Sequence, residues 1–279
     1  DLIVGSDPDA DRVGVMVRNA QGEYEVLSGN QTGVLLLDYL IGAKKRAGTL
    51  GEDAYALTTI VSTQMVDKIC AVNHIHTART FTGFKFLAEK KDALEGAGQG
   101  KVFFAFEESF GYMLGDYVRD KDAVTAIVLI AEMAAWYASQ DKTLYDALQE
   151  CYAKYGHYGE STINLVMPGL DGMRDMAAIM EQLHKVPLTE VAGTAVTAQK
   201  DYLSGTVTDP ATGVVTPMEL KDSNVVAYDL ADGTTFIIRP SGTEPKIKVY
   251  VLTHGASQAE CTEKLAKYTA FADVIKTMA

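Results

Sequence analysis

The sequence predicts an α/β domain followed by a small antiparallel α+β domain. Up to about residue 155, short apolar runs alternate with segments that have the apolar spacing of helices. This alternation is typical of a mixed, mostly parallel sheet with helices on both faces. Beyond residue 156, short strands follow one another with only two helices among them, which is typical of an antiparallel sheet. A chain of 279 residues also exceeds one ordinary core, so two domains are expected.

Turn and capping residues separate the elements of the first part. Gly22 marks a hairpin turn, residues 28–30 supply a loop and a helix N-cap, and Gly156 ends the last helix. In order, we predict strands 2–5, 13–17 and 23–27, helix 33–47, strand 54–61, helix 64–72, strand 75–81, helix 84–94, strand 101–106, and helices 123–137 and 144–155.

In the second part, alternating apolar residues predict most of the strands. Asp209-Pro210 and Asp232-Gly233 mark turns between them. In order, we predict strand 158–166, helix 173–183, strands 191–197, 201–207, 224–228, 235–239 and 246–252, and helix 257–276.

Composition excludes several classes of protein. A hydrophobic content of 47% with 22% charged residues is that of a globular protein, and the net charge of −12 argues against nucleic acid or an anionic membrane as partner. The three cysteines are too far apart for a disulfide framework or a metal knuckle. The longest apolar stretch, 124–138, is too short to span a bilayer, and no signal peptide is visible. We expect a cytoplasmic protein.

The most informative segment is the acidic loop, residues 7–12, which lies between two apolar runs. Asp7, Asp9 and Asp11 alternate along it, and Arg12 follows at once. Three carboxylates so close together repel one another unless a cation lies between them, and Mg²⁺ prefers such oxygen ligands. The planar guanidinium of Arg12 suits a phosphate. The segment therefore predicts a metal next to a phosphorylated ligand.

Three other interpretations compete for the acidic loop. A solvated acidic turn remains open. A calcium EF-hand fails, because Arg12 and Arg18 stand where that loop needs glycine and a bidentate Glu. A phosphatase of the haloacid-dehalogenase type, with Asp7 as its nucleophile, also remains open. Asp11, however, stands where such enzymes usually have Thr or Val.

A second polar segment, residues 107–112, follows strand 101–106, and we call its first four residues, 107–110, the Glu-Glu-Ser loop. Ligands of α/β sheets gather beyond the carboxyl ends of strands. Glu107, Glu108 and Ser109 offer carboxylates and a hydroxyl that suit vicinal sugar hydroxyls, although a helix-capping turn would also fit. Lys121 follows in a charged run that is equally typical of a solvated helix start.

A third segment, the basic hairpin loop of residues 239–246, predicts phosphate binding. Arg239 and Lys246 bring positive charge, and Ser241 and Thr243 bring hydroxyls. Gly242 would let backbone N–H groups turn toward an anion. So many donors in so acidic a chain are hard to explain as a plain hairpin.

Gly83 precedes a predicted helix and would bring its backbone close to a ligand, with Lys85 beside it. Taken alone this signal is weak, since an ordinary exposed lysine fits as well. The five histidines show no spacing typical of metal ligands.

Together these motifs resemble those of the α-D-phosphohexomutases, in particular the phosphoglucomutase and phosphomannomutase branch, over the whole chain. The motifs are Asp-Pro-Asp-Ala-Asp-Arg at 7–12, Thr-Gly-Phe-Lys at 82–85, Phe-Glu-Glu-Ser-Phe-Gly-Tyr at 106–112, Arg-Asp-Lys-Asp at 119–122 and Arg-Pro-Ser-Gly-Thr-Glu-Pro at 239–245. Enzymes of this family move a phosphoryl group between the 1- and 6-hydroxyls of a hexose. They use a phosphoserine, Mg²⁺ and a hexose 1,6-bisphosphate that reorients midway.

The resemblance implies a role for each motif. It implies that the three aspartates of the acidic loop hold Mg²⁺, that Arg12 faces the transferring phosphate and that Lys121 transfers a proton. It implies that Glu107 and Ser109 recognise the sugar, with Lys85 nearby in the substrate site. The implied contacts to the phosphate that does not react come from Arg239, Ser241, Gly242 and Thr243.

One departure from the family is large. No serine of this chain precedes a histidine, whereas the family's phosphoserine lies in a Ser-His pair upstream of the metal loop. The chain also begins with Asp and within a predicted strand. We therefore expect the C-terminal part of such an enzyme, inactive alone, whose partners are a phosphosugar and the missing N-terminal domains of the same polypeptide.

By the same resemblance, residues 1–25 form the tail of domain two, 26–155 form domain three and 156–279 form domain four. A non-enzymatic phosphosugar-binding module is the alternative. Glucose is the expected hexose, while mannose and glucosamine stay open.

Overall fold

A computed structural model describes residues 2–116, 118–169 and 171–278. The chain divides into two compact units, unit 1 at Asp1–Gly156 and unit 2 at His157–Ala279. In the described part of the chain, no helix is long and apolar enough to cross a membrane. The assignment of residues 1–25 to a separate domain stays a prediction.

Unit 1 opens with a small antiparallel sheet and continues with alternating strands and helices. Every second residue of its second strand is buried, namely Val13, Val15 and Val17, because successive strand residues point to opposite faces. The elements are β1 (Leu2–Ser6), β2 (Val13–Arg18), β3 (Tyr24–Leu27), α1 (Gly29–Ala47), β4 (Ala54–Thr59), α2 (Met65–Asn73), β5 (His76–Thr80), α3 (Phe84–Gly96), β6 (Lys101–Glu107), β7 (Gly111–Leu114), α4 (Ala123–Ala138) and α5 (Leu144–Tyr155).

The main sheet of unit 1 has the strand order β5-β4-β6-β7. Strand β4 pairs in parallel with β5 and β6, and β7 is antiparallel to β6. Ala105 packs in one cluster with Leu87 of α3, whereas the next residue, Phe106, lies against Gly33 of α1. Because neighbouring strand residues point to opposite faces, helices cover both faces of this sheet, and the predicted fold class is confirmed.

Two differences from the predicted elements bear on the Glu-Glu-Ser loop. Residues 111–114, predicted as part of a loop, form the short strand β7. Helix α1 begins at Gly29 rather than at Gly33, because Ser28 and Gln31 form a capping box. A Cβ atom at Gly29 would lie 2.0 Å from the carbonyl oxygen of Glu108, so only glycine allows the helix start to approach this loop so closely.

Unit 2 is a two-layer α+β unit whose strand pairs are antiparallel throughout its described residues. Its strands follow the order β12-β11-β10-β13-β14-β15-β8, with β9 beside β10. The elements are β8 (His157–Val166), α6 (Gly172–Lys185), β9 (Glu190–Val191), β10 (Thr194–Asp201), β11 (Thr206–Thr208), β12 (Val215–Pro217), β13 (Val226–Leu230), β14 (Thr235–Pro240), β15 (Lys246–Gly255), α7 (Gln258–Ile275) and a 3-10 turn at Lys276–Met278.

One face of the unit 2 sheet packs against both long helices. Phe236 and Val249 of the sheet share a fully buried cluster with Ile179 of α6 and Tyr268 of α7. The strands predicted at 191–197 and 201–207 are shifted, because β10 runs to Asp201, whose side chain accepts the N–H groups of the next turn and ends the strand there.

Candidate active site

The acidic loop brings its three carboxylates together at the turn between β1 and β2. One oxygen from each of Asp7, Asp9 and Asp11 lies within 4.8 Å of the others. The N–H groups of Asp11 and Arg12 donate to Oδ1 of Asp7 over 3.2 and 3.0 Å, and Ala10 adopts a positive φ of 56°. These bonds fold the loop around Asp7. Three convergent carboxylates are a donor set that fits Mg²⁺.

The charge of the acidic loop is strongly negative. The backbone N–H of Arg12, and less strongly that of Asp11, lowers the pKa of Asp7 below its ordinary value, which keeps this carboxylate ionised. The Arg12 guanidinium lies 3.7 Å from Asp11 and its side chain is 52% exposed. Arg12 is therefore placed beside the three carboxylates with much of its donor fork facing solvent.

Lys121 lies at the same place in the fold, although it comes from the segment before α4. Its Nζ is 2.7 Å from Oδ2 of Asp11 and 3.3 Å from Oδ1 of Asp120, and its side chain is 14% exposed. Burial alone would lower the pKa of Lys121, but the contacts with Asp11 and Asp120 outweigh it and raise the pKa. Lys121 is thus an ammonium group at neutral pH, and it places a positive charge beside the acidic loop.

Backbone hydrogen bonds join these segments to the Glu-Glu-Ser loop. The N–H of Val13 donates to the carbonyl of Phe110 over 3.1 Å, and the N–H of Ala123 donates to the carbonyl of Ala10 over 3.0 Å. The acidic loop, the Glu-Glu-Ser loop and the start of α4 are therefore held together at one place in unit 1.

Glu107 connects the Glu-Glu-Ser loop to the start of α3. Its side chain is buried, with 6% of the residue exposed, and its Oε1 accepts the N–H of Gly83 over 2.5 Å. Burial, and less strongly the charge of Glu108, raises the pKa of Glu107. This contact brings together two motifs that the sequence analysis selected separately.

The other two predicted residues of this region lie at its rim. Ser109 is half-buried on the Glu-Glu-Ser loop. Lys85 is exposed on the first turn of α3, with its Nζ 4.7 Å from the ring centroid of Phe86. Both side chains are accessible to a ligand, and neither has a contact that by itself indicates ligand binding.

The side chain of Glu108, for which the sequence predicts no role apart from that of Glu107, faces the end of β4. The hydroxyls of Thr59 and Ser62 donate to Oε2 of Glu108 over 3.1 and 3.3 Å. The only signal in the sequence was the cluster of hydroxyl residues that follows β4. The contact between that cluster and Glu108 is predictable only once β4 and β6 are known to be neighbouring strands.

The basic hairpin loop joins β14 to β15 in unit 2. The N–H of Ser241 donates to the carbonyl of Lys246 over 2.8 Å, and the N–H groups of Thr243 and Glu244 donate to Oγ of Ser241 over 3.4 and 3.2 Å. Arg239 is half-buried and lies opposite Lys248 of β15 in the strand register. Two cationic side chains therefore share one face at the base of the loop.

Gly242 differs from its expected part in this loop. Its φ is not in the left-handed region, and a Cβ atom there would meet nothing within 4 Å. The next N–H groups turn inward to Ser241 instead of outward. The loop conformation therefore does not require glycine at position 242. A contact with a ligand would explain this glycine, whereas the backbone conformation does not.

Two family models match most of the chain. The model described as phosphoglucomutase/phosphomannomutase, alpha/beta/alpha domain III, matches residues 28–155. The model described as phosphoglucomutase/phosphomannomutase, C-terminal domain, matches residues 163–268.

Relatives in sequence and in structure agree with these matches. The phosphoglucomutase of Staphylococcus aureus strain MRSA252 is 35% identical over 251 residues, which is 90% of this chain and 44% of that protein. The fold is similar to Paramecium pp63/parafusin, with a TM-score of 0.64 and 18% identity over 99% of this chain and 45% of that one. A phosphoglucomutase/phosphomannomutase family protein from Burkholderia thailandensis gives 0.60 and 14%, over 99% and 47%. The chain spans less than half the length of these relatives.

Proposed function

The chain belongs to the α-D-phosphohexomutase family, of which it carries the C-terminal domains III and IV, and we propose that it is part of a Mg²⁺-dependent phosphohexomutase. The proposed reaction interconverts hexose 1-phosphate and hexose 6-phosphate, with glucose as the first substrate to test and mannose as the second. The proposed route uses a phosphoserine outside these 279 residues and a hexose 1,6-bisphosphate intermediate.

One arrangement carries this proposal. The carboxylates of the acidic loop, the ammonium group of Lys121 and the buried Glu107 belong to segments joined by the bonds Val13 to Phe110 and Ala123 to Ala10. Phosphoryl transfer to a sugar hydroxyl requires charge neutralisation next to sugar recognition, and little covalent chemistry from the protein besides its nucleophile. The arrangement supplies ligands for both tasks. It also favours a role in phosphoryl transfer to a sugar over the two alternatives for the acidic loop, which are a solvated turn and the nucleophile loop of an aspartyl phosphatase.

Within the proposed site, Asp7, Asp9 and Asp11 would hold the metal. Bound Mg²⁺ supplies the positive charge that the transferring phosphoryl oxygens need. Arg12 directs its half-exposed guanidinium to that phosphate, with which it makes charge-assisted hydrogen bonds. Lys121 lies beside the proposed metal ligands, and its proposed role is to transfer a proton at the oxygen that reacts.

Sugar recognition is proposed for Glu107 and Ser109, with Lys85 at the rim. A carboxylate accepts hydrogen bonds from two vicinal hydroxyls, and a serine hydroxyl can both donate and accept. In unit 2, the proposed contacts to the phosphate that does not react are those of Arg239, Ser241, Gly242 and Thr243. The neighbouring cations Arg239 and Lys248 support an anion there.

The second candidate is a phosphosugar-binding module without turnover. It is favoured by one observation, because no serine among the 279 residues precedes a histidine and the family's phosphoryl carrier is therefore not among them. For either candidate we propose that the isolated chain binds a phosphosugar and does not interconvert its isomers.

The proposed partners are a phosphosugar, with hexose 1,6-bisphosphate as activator, and the N-terminal domains of the same polypeptide. A net charge of −12 disfavours nucleic acid and anionic membranes. The three free cysteines are all buried, which suits the proposed reducing, cytoplasmic location.

The test is an assay of the complete reading frame with each hexose 1-phosphate, Mg²⁺ and catalytic hexose 1,6-bisphosphate. We expect the 6-phosphate to form, and Asp9→Asn to abolish its formation. Glu263→Gln, which neutralises an exposed carboxylate on α7, is the control and should keep full activity. Binding of the phosphosugar without any isomerisation would favour the module, and the absence of both would refute the two candidates.

A further inference from the structure

Arg79 lies at the carboxyl end of β5 and binds the segment that follows β4. Its Nη1 donates to the carbonyls of Thr59 and Ser62 over 2.8 and 3.0 Å, and its Nη2 donates to the carbonyl of Thr63 over 3.0 Å. Asp67 neutralises the guanidinium at 2.7 Å, and the Arg79 side chain is only 22% exposed. A single side chain therefore holds three carbonyls of one short connection.

These carbonyls belong to buried residues. Thr59, Ser62 and Thr63 are each no more than 2% exposed, so an unsatisfied polar group there would be destabilising. Asn30 of α1 accepts the N–H of Thr63 over 3.0 Å, which ties the same segment to a second element. Segment 59–63 is thus held in one conformation by charged and neutral hydrogen bonds.

The hydroxyls of this segment determine the position of Glu108. Thr59 and Ser62 lie 2.8 Å apart, oxygen to oxygen, and both donate to Oε2 of Glu108. The backbone carbonyl of Glu108 is confined as well, by its close approach to Gly29. Both the main chain and the side chain of Glu108 therefore have a defined place.

Glu108 is the residue between Glu107 and Ser109, so contacts that hold Glu108 also constrain the backbone that carries these two neighbours. Phe110, which follows them, adopts a positive φ of 69°. A non-glycine residue in that conformation is strained, and it persists only where the surrounding structure holds it. The Glu-Glu-Ser loop therefore depends on contacts outside itself for its shape.

We propose that Arg79 is a positioning residue of the sugar-binding loop, acting through Thr59 and Ser62 on Glu108. This inference rests on the proposed function, since it takes Glu107 and Ser109 as the groups that recognise the sugar. Arg79 itself touches no substrate in this proposal. Its part is to hold segment 59–63 so that Glu108 has both of its hydroxyl donors.

The experiment uses the complete reading frame and two changes at different steps of the chain of contacts. Arg79→Lys keeps the positive charge but loses the planar fork that reaches three carbonyls. Thr59→Val removes one hydroxyl from Glu108 at nearly constant volume, and Thr59→Ser restores it. Arg46→Lys, on an exposed arginine of α1, is the matched control.

We expect Arg79→Lys and Thr59→Val each to raise the KM for hexose phosphate about tenfold and to reduce the ratio of kcat/KM between glucose and mannose phosphates. The double variant should be less damaging than the product of the two single effects, because both act on one contact. Thr59→Ser and Arg46→Lys should resemble the wild type. Mg²⁺ affinity should be unchanged in the four single variants and in the double variant.

Two kinetic results would overturn the inference. The first is an unchanged KM and an unchanged epimer ratio in Arg79→Lys. The second is a uniform loss of Mg²⁺ and sugar affinity that follows a loss of stability. Hexose phosphate binding by the wild type is measured first by calorimetry. If the wild type does not bind, the proposed function fails and this inference fails with it; if it binds and the variants bind equally, only the positioning role fails.

Discussion

The ammonium group of Lys121 lies 2.7 Å from the carboxylate of Asp11, one of the three acidic residues that converge at the turn between β1 and β2. This ion pair joins the start of α4 to the predicted metal ligands. It also places a positive charge where Mg²⁺ would bind, so the two cations would act on the same carboxylate.

Replacement of Lys121 should therefore strengthen metal binding while it removes the proton donor. Two unit charges 4 Å apart interact by about 4 kcal/mol at an effective dielectric constant near 20, and solvent reduces that value at a partly exposed site. We expect Lys121→Met to tighten Mg²⁺ binding about tenfold in calorimetric titrations of the chain. Lys142→Met, whose ammonium pairs with Glu150 instead, should leave the Mg²⁺ affinity unchanged. Equal affinities in both variants would argue against a metal at Asp11.

Arg239→Ala should weaken the binding of phosphosugars and leave the fold intact. A hydrogen bond to a charged group contributes about 1.5–3 kcal/mol, so at least a tenfold loss of affinity for hexose 6-phosphate is expected by calorimetry. Stability should change by no more than about 0.5 kcal/mol. The control is Arg174→Ala, which removes an exposed arginine of α6 that pairs with Asp171 and Asp175. The phosphate assignment would be contradicted if Arg239→Ala kept its affinity for the phosphosugar, whether or not Arg174→Ala kept it as well.

Glu107 should give the stability of the chain a measurable pH dependence. Because burial raises its pKa, the folded chain binds this proton more tightly than the unfolded chain does. The free energy of unfolding therefore falls as pH rises from the ordinary value of 4.5 to the raised value. Glu107→Gln lacks this component, so its stability relative to the wild type should rise across that window and stay constant above it.

Urea unfolding at a series of pH values measures this difference. Glu263→Gln, at an exposed carboxylate of α7, should follow the wild-type curve. If the Glu107→Gln and wild-type curves are parallel throughout, Glu107 does not titrate in a buried place.

Two glycines of unit 2 should respond differently to alanine. Gly233 has a φ of +81°, and a Cβ atom there would lie 2.3 Å from Cε1 of His254, so Gly233→Ala should lower the free energy of unfolding by roughly 1–3 kcal/mol. Gly242 has neither constraint, and Gly242→Ala should stay within about 0.5 kcal/mol of the wild type. Differential scanning calorimetry of both variants tests this. A large loss of stability in Gly242→Ala would show that the basic hairpin loop needs glycine for its own fold.

Local patterns in the sequence predicted the elements that are long and regular. The alternation of strands and helices up to residue 155 and the antiparallel pattern after it were sufficient for the fold class. The short strand β7 was missed, since its four residues have no pattern of their own and pair only because β6 lies beside them. The start of α1 was misplaced because residues 28–30 were interpreted as a loop, and Gly29 looks unfavourable for a helix until its neighbours are known.

The same division applies to the candidate site. The sequence by itself determined which residues have the chemistry, because three alternating aspartates, a Glu-Glu-Ser loop and an Arg-Pro-Ser-Gly loop are recognisable by composition and spacing. Only the tertiary structure decided that Lys121 lies against Asp11, that Glu107 binds the start of α3 and that Arg79 donates to the carbonyl of Thr59. Each of these contacts joins residues far apart in the chain. The distance between such residues depends on how strands pair and helices pack, which local sequence patterns do not encode.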